Sequence, residues 1–237
     1  MSDKIRCTRH LPLEKPFVVL NVLLAAAVVF SSIYYLEHGT LRLKAITSLL
    51  FSMIGAVNLL WANLCRAPLG YPSLLAAGLF FAMLGDIMLG YSFAYGALLF
   101  GIGHALYFAA FCTVTRTKVI DLIPVAIIFA GSALFLKFYP KLRFGGPSMF
   151  NLCMGYALVI SFMTGKSISV FLRTRSAACA VAMLGSIFFF VSDLMLVLYM
   201  FARAGSIADT LCLIFYFPGQ SLIGLSSYLQ IKRTSGR

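Results

Sequence analysis

Of 237 residues, 61% are apolar and 11% charged, and 19 Lys and Arg against 7 Asp and Glu give a formal net charge of +12. Soluble domains carry about 25% charged residues, so this composition excludes water as the main solvent of the chain. The basic residues lie between apolar runs and build no aromatic-interleaved face, which excludes a nucleic-acid partner and makes them topology signals.

Residues 1–15 are polar and basic (Lys4, Arg6, Arg9, Lys15) and read as a short tail. The apolar run from Phe17 to Leu36 is longer than a signal-peptide core and lacks a small-residue cleavage site, so it reads as a retained first span. A transmembrane helix needs about 20 apolar residues. Windows of that length fall near 16–36, 43–63, 71–90, 93–114, 119–138, 147–165, 176–201 and 209–230. Connections are short, so the expectation is an all-α polytopic bundle of eight spans forming one integral membrane domain over 1–237.

With the N-terminus in the cytoplasm, that side holds Lys4, Arg6, Arg9, Lys15, Arg66, Arg116, Lys118, Lys166, Arg173, Arg175, Lys232, Arg233 and Arg237. The opposite side holds Arg42, Lys44, Lys137, Lys141, Arg143 and Arg203. The positive-inside rule therefore places both termini in the cytoplasm. Six cysteines (Cys7, Cys65, Cys112, Cys153, Cys179, Cys212) show no CxxC spacing and read as small apolar residues, not as a zinc site or a disulfide framework.

Two acids stand where lipid should forbid them. Asp86, in Ala82-Met-Leu-Gly-Asp86-Ile-Met-Leu89, and Asp193, in Phe190-Val-Ser-Asp193-Leu-Met-Leu196, each interrupt a long apolar run. An Asp at a span centre costs about 2.5 to 3.5 kcal/mol on insertion, so such residues mark function or a tight interhelical bond. Span 4 adds His104 with Tyr107 at i+3, and span 8 adds Tyr216 with Gln220 at i+4, each pair on one helix face. From the assumed orientation, all of these fall in the middle to non-cytoplasmic half, where Lys44 begins span 2, either as a site residue or as a lysine reaching for the interface.

Ala97, Gly101, Ala105 and Ala109 form a small-residue stripe that predicts a close helix neighbour for span 4. Asp86-Ile-Met-Leu resembles Asp193-Leu-Met-Leu, and Gly103-His104-Ala-Leu resembles Gly219-Gln220-Ser-Leu. That likeness points to a four-plus-four tandem repeat with both acids on equivalent helices. Up to this point a hydrolase, a proton-coupled carrier and a non-catalytic membrane protein all remain open. A metal hydrolase is disfavoured, because His10 lies in the tail and His38 in the first loop.

Three blocks resemble the lysoplasmalogenase, or YhhN-like, membrane proteins. They are Leu79 to Leu89 continuing through Phe100-Gly-Ile-Gly-His104-Ala-Leu-Tyr107, then Gly185 to Leu196 with its Ser192-Asp193 pair, and Tyr216-Phe-Pro-Gly-Gln220. Lys44 matches a family lysine at the start of the second span, although the proline usual nearby is absent. Phe217 and Pro218 also depart from the pattern, and Pro218 predicts a kink beside Gln220.

The resemblance implies hydrolysis of the vinyl-ether bond of a lysoplasmalogen (lysoplasmenylethanolamine or lysoplasmenylcholine) to a fatty aldehyde and a glycerophospho-head group, in the endoplasmic reticulum membrane. That chemistry needs a proton donor for the alkene carbon, an anion near the oxocarbenium ion and a positioned water, and no cofactor or metal. Asp86 and Asp193 are expected to divide the roles of acid and anion, in either order, with His104 as proton relay or orienting partner. Tyr107, Tyr216 and Gln220 are expected to position water and the ether oxygen, and Lys44 to hold the lysophospholipid's phosphate.

Overall fold

The computed structural model describes residues 14–235, so the basic tail residues Lys4, Arg6 and Arg9, with Cys7 and His10, lie outside the described residues. Eight helices follow in order: α1 Glu14–His38, α2 Leu41–Leu64, α3 Gly70–Leu89, α4 Phe93–Val114, α5 Leu122–Phe138, α6 Pro147–Thr174, α7 Ala177–Ala202 and α8 Gly205–Ser235. A 3₁₀ turn at Val119–Asp121 leads into α5. All eight, α5 taken with that turn, are long and apolar enough to cross a membrane, and no strand occurs among the described residues. The protein is therefore an all-α multi-pass membrane protein, as its apolar windows predict.

In hydrocarbon each unpaired backbone N–H or C=O costs several kcal/mol, so an apolar run of this length closes its hydrogen bonds within itself. Local chemistry sets where it starts. The hydroxyls of Thr40 and Ser176 accept from the Leu43 and Cys179 amides at 3.3 and 3.4 Å, capping α2 and α7. Pro147 opens α6, where its missing N–H costs nothing.

Two helices outrun their apolar windows. The window for span 6 stops at 165, whereas α6 continues to Thr174. Lys166, expected in a loop, is instead 1% exposed, and its ammonium donates to Asp121 Oδ2 at 2.8 Å. Arg173 meets the same carboxylate at 3.2 Å, and the Lys118 amide donates to it at 3.0 Å. The charge ends the hydropathy window without ending the helix, because its partner compensates the buried ammonium. The ion pair ties α6 to the turn before α5. α8 likewise runs from Gly205 to Ser235 and passes through Pro218 as one continuous helix.

Contacts repeat across the two halves. α1 packs on α2 and α5 on α6, α2 on α3 and α6 on α7, and α3 on α4 and α7 on α8. Between halves, α2 lies against α8 as α6 lies against α4. The crossing points repeat too: a Cβ built on Gly103 would meet the Gly78 carbonyl at 3.1 Å, and one on Gly185 the Gly219 carbonyl at 2.8 Å. Gly78 and Gly185 each lie two helical turns before an Asp, Asp86 or Asp193, so the tandem likeness seen in sequence reappears in the packing.

Of the predicted packing stripe on α4 only Ala97 is buried. Gly101 has open space where a Cβ would go, and Ala105 is exposed. The small residues that admit a neighbour are Gly103, against α3, and Gly96, whose Cβ would meet the Leu89 backbone at 2.9 Å. Sequence spacing identifies a stripe, but two stripes of small residues overlap on this helix.

α5 is the outlier. Among the described residues its backbone comes close only to α6 and its own leading turn, and it meets α4 and α7 through side chains alone, Leu136 and Phe135 sharing a cluster with Phe93, Val197 and Phe201. Elsewhere polar bonds pin the bundle: Asn21 and Asn58 exchange bonds of 3.0 Å between α1 and α2, and Asn58 also donates to the Gly224 carbonyl of α8 at 3.1 Å. Cys153, Cys179 and Cys212 are buried, as small apolar residues should be.

Candidate active site

Asp86 sits in the last turn of α3 and is 1% exposed. Three donors converge on it. Lys44, from the first turns of α2, lies 3.1 Å from Oδ1, while Ser48 one turn further on donates to Oδ2 at 2.5 Å. Tyr216 of α8 donates to the same oxygen at 2.6 Å. Lys44 therefore reaches inward to Asp86, away from the interface it could have sought.

Asp193, on α7, receives the hydroxyl of Tyr156 from α6 at 2.7 Å. His104 Nε2 lies 2.7 Å from that same hydroxyl and 3.7 Å from Asp193 Oδ2. Because the phenol gives its proton to the carboxylate, Nε2 of the imidazole is the donor in this row. Both contacts fall on Oδ2, and Oδ1 of Asp193 takes no hydrogen bond among the described residues.

The two acids are thus served alike. Each meets a residue from the preceding helix, Lys44 and Ser48 from α2 or Tyr156 from α6, and one from the closing helix of the other half, Tyr216 of α8 or His104 of α4. Phe189 stands between them, packing edge-on against His104 at 4.5 Å and against Tyr216 at 5.3 Å between ring centres. Phe100 closes the same wall, 6.0 Å from Phe189 and 5.9 Å from Tyr216.

Tyr107 donates to Gln220 Oε1 at 2.8 Å, and both side chains are fully buried. Pro218 does not turn Gln220 away from the polar core. The pair bonds to itself and borders neither cavity described below. Nε2 of Gln220 and Nδ1 of His104 have no protein partner among the described residues.

Two cavities approach the acids from different sides. An apolar cleft between α4, α5, α6 and α7 is lined by Phe100, Ser132, Leu136, Cys153, Tyr156, Phe190 and Asp193, among others. It exists because α5 stands off from α7, and a further cavity of about 310 Å³ beside Gly131, Ser132, Phe190 and Leu194 carries it toward the outer face. A polar basin of about 450 Å³ opens among the loops at the His38 end, lined by Tyr35, Gly39, Lys44, Gly90, Tyr199, Ser206 and Asp209. Leu89 and Leu196 line both the cleft and the basin, so the two are neighbours there.

The structure thus brings Lys44, Asp86 and Tyr216 together, sets His104 and Asp193 beside them across a phenylalanine wall, and bonds Tyr107 to Gln220 next to both, the Tyr107 ring lying edge-on 6.3 Å from His104. Sequence reasoning missed Ser48 and Tyr156. Carrying the repeat through to α6 is the signal that could have found Tyr156, since α2 supplies the donors for the first acid. Among the described residues, no three His, Cys, Asp or Glu side chains come together as a metal site would require.

Residues 47–227 match the YhhN family. The chain belongs to the YhhN family. The match, to the family of lysoplasmalogenases, covers both acids, His104, Tyr107, Tyr156, Tyr216 and Gln220. Lys44 lies just before the matched segment. Comparison with curated proteins and with solved structures gives no match. Within the YhhN family, this chain therefore has its acids placed by its own geometry, one sealed behind a lysine and one open to an apolar cleft.

Proposed function

We propose that this YhhN-family protein is a lysoplasmalogenase that hydrolyses the vinyl-ether bond of a lysoplasmalogen to a fatty aldehyde and a glycerophospho-head group. The observation that carries the reading is the junction at Leu89 and Leu196, where an apolar cleft holding Asp193 adjoins a polar basin holding Lys44. A one-chain lipid has that division, with an apolar chain for the side of the cleft and a phosphate for the side of the basin.

Asp193 is the proton donor. Its Oδ1 gives a proton to the alkene carbon next to the ether-bearing one, the alkene electrons take it up, and positive charge spreads over the adjoining carbon and oxygen. Water adds to that carbon and loses its proton to the Asp193 carboxylate just formed. The resulting hemiacetal then collapses: Asp193 protonates the ether oxygen, the carbon–oxygen bond breaks, and the hemiacetal hydroxyl yields its proton back to the Asp193 carboxylate to give the aldehyde. One water is consumed and Asp193 returns to its starting state.

The His104–Tyr156 row holds Asp193 in place through Oδ2 and offers a path for exchanging its proton. Asp86 is sealed behind Lys44, Ser48 and Tyr216, so it acts as a positioning residue that fixes the ammonium at the junction. Lys44 keeps further N–H groups for a phosphate. The family resemblance and the basic-residue asymmetry support an endoplasmic reticulum membrane with both termini in the cytoplasm.

Aldehyde release from lysoplasmenylethanolamine and lysoplasmenylcholine by the purified protein tests the reading. Asp193→Asn is expected to lose about 10² to 10⁴ of the rate, the scale of a general acid. Asp86→Asn should also lower it while leaving the elution profile of the folded protein unchanged. Activity kept by Asp193→Asn removes it as donor, and no aldehyde from folded wild type overturns the function.

A further inference from the structure

Asp209 is the one acid in the polar basin, and the chemistry assigned above leaves it without a task. It lies half-buried near the start of α8, and it has no hydrogen bond and no ion pair among the described residues. It lines the same cavity as Lys44, together with the hydroxyl-bearing side chains of Tyr35, Tyr199, Ser206 and Thr210.

The charges in this basin are unequal. Lys44 is already matched by Asp86 behind it at 3.1 Å, so Asp209 adds a net negative charge to a cavity that, on the reading above, must admit a phosphate. An anionic head group with no cation of its own would set its phosphate against that carboxylate. A zwitterionic one brings an ammonium to meet it, and the rings of Tyr35 and Tyr199 suit a methylated ammonium as well as a bare one.

We infer that Asp209 is the head-group selector of this site, taking the ammonium of an ethanolamine or choline head group whose phosphate rests on Lys44. The inference rests on the lysolipid reading given above, but not on turnover. A carboxylate near the positive end of α8 could also serve that helix alone, in which case its removal would lower stability without changing the order of preference among lipids.

The test compares binding of non-cleavable saturated lysophospholipids of one chain length, with ethanolamine, choline or glycerol head groups, to the full-length protein in nanodiscs. Wild type is expected to prefer the two zwitterionic lipids. Asp209→Asn should shrink that preference roughly fivefold, the scale of a partly exposed ion pair, and Asp209→Glu should restore it. Equal preference in wild type and Asp209→Asn, or no preference in wild type, overturns the inference. Aldehyde release measured beside it separates the two readings: a preference lost in Asp209→Asn with no vinyl-ether cleavage keeps the selector and sinks the hydrolase, and cleavage with the preference intact does the reverse.

Discussion

Tyr156 of α6 bridges His104 and Asp193, and its hydroxyl is the middle of a row of three groups at 2.7 Å spacings. A phenylalanine there keeps the ring and deletes the link. Tyr156→Phe leaves His104 Nε2 without its nearest partner and Asp193 without its donor, at a cost of about 1–3 kcal/mol for a buried group left unmade. The expected outcome is a fall in kcat of at least tenfold with KM for lysoplasmenylcholine little changed, measured by aldehyde release. An unchanged kcat would remove the row from the reaction. At this scale the sequence is legible where lipid makes a side chain expensive. Asp86, Asp193 and His104 stand out because a charge or imidazole in hydrocarbon needs a reason. Tyr156 and Ser48 cost little in an apolar helix, so nothing in their local sequence separates a bonded hydroxyl from core filling. Lys166 failed for the opposite reason: its cost is visible, but the partner that meets it, Asp121, lies 45 positions away.

Helix pairs α3–α4 and α7–α8 approach through glycine against glycine, and the acids ride two turns beyond each crossing. That arrangement makes the crossing a ruler for the site. At Gly185 an added Cβ would meet the Gly219 carbonyl at 2.8 Å, backbone that has no rotamer to yield, whereas at Gly101 it meets nothing within 4 Å. Gly185→Ala should therefore lower the thermal midpoint in detergent by several degrees and reduce activity with it, the cost of overpacking being about 1–3 kcal/mol. Gly101→Ala should leave both as they are or raise the midpoint, since alanine favours helix. Equal midpoints for the two variants would show that the close crossing is not what holds the pair. The positions of the eight helices were legible because about 20 apolar residues have few other solutions in a bilayer. Their ends were less so, since α6 and α8 extend past the apolar window on the strength of ion pairs and hydrogen bonds at the water boundary, as Lys232 and Tyr228 of α8 do with Glu14.

Across the whole molecule, eight crossings return the chain to the side on which α1 began, and the basin lies at the other end, among the loops after His38, Leu89 and Ala202. If the basic residues hold the Glu14 end in the cytoplasm, the basin faces the lumen or periplasm. In sealed vesicles of known sidedness, the glycerophospho product is then expected on the non-cytoplasmic side, and a tag after residue 235 on the cytoplasmic side. Product and tag appearing together on one side would contradict the placement of the basin relative to the termini.

The detachment of α5 from α7 reaches beyond binding. On the proposed reaction, a cleft that runs toward the lipid face and a basin among the loops would give the two halves of a cleaved lipid different destinations, the aldehyde partitioning into the bilayer and the phosphodiester into water. Neither product would then have to retrace the other's route, and the proposed hydrolysis would sort them by solubility.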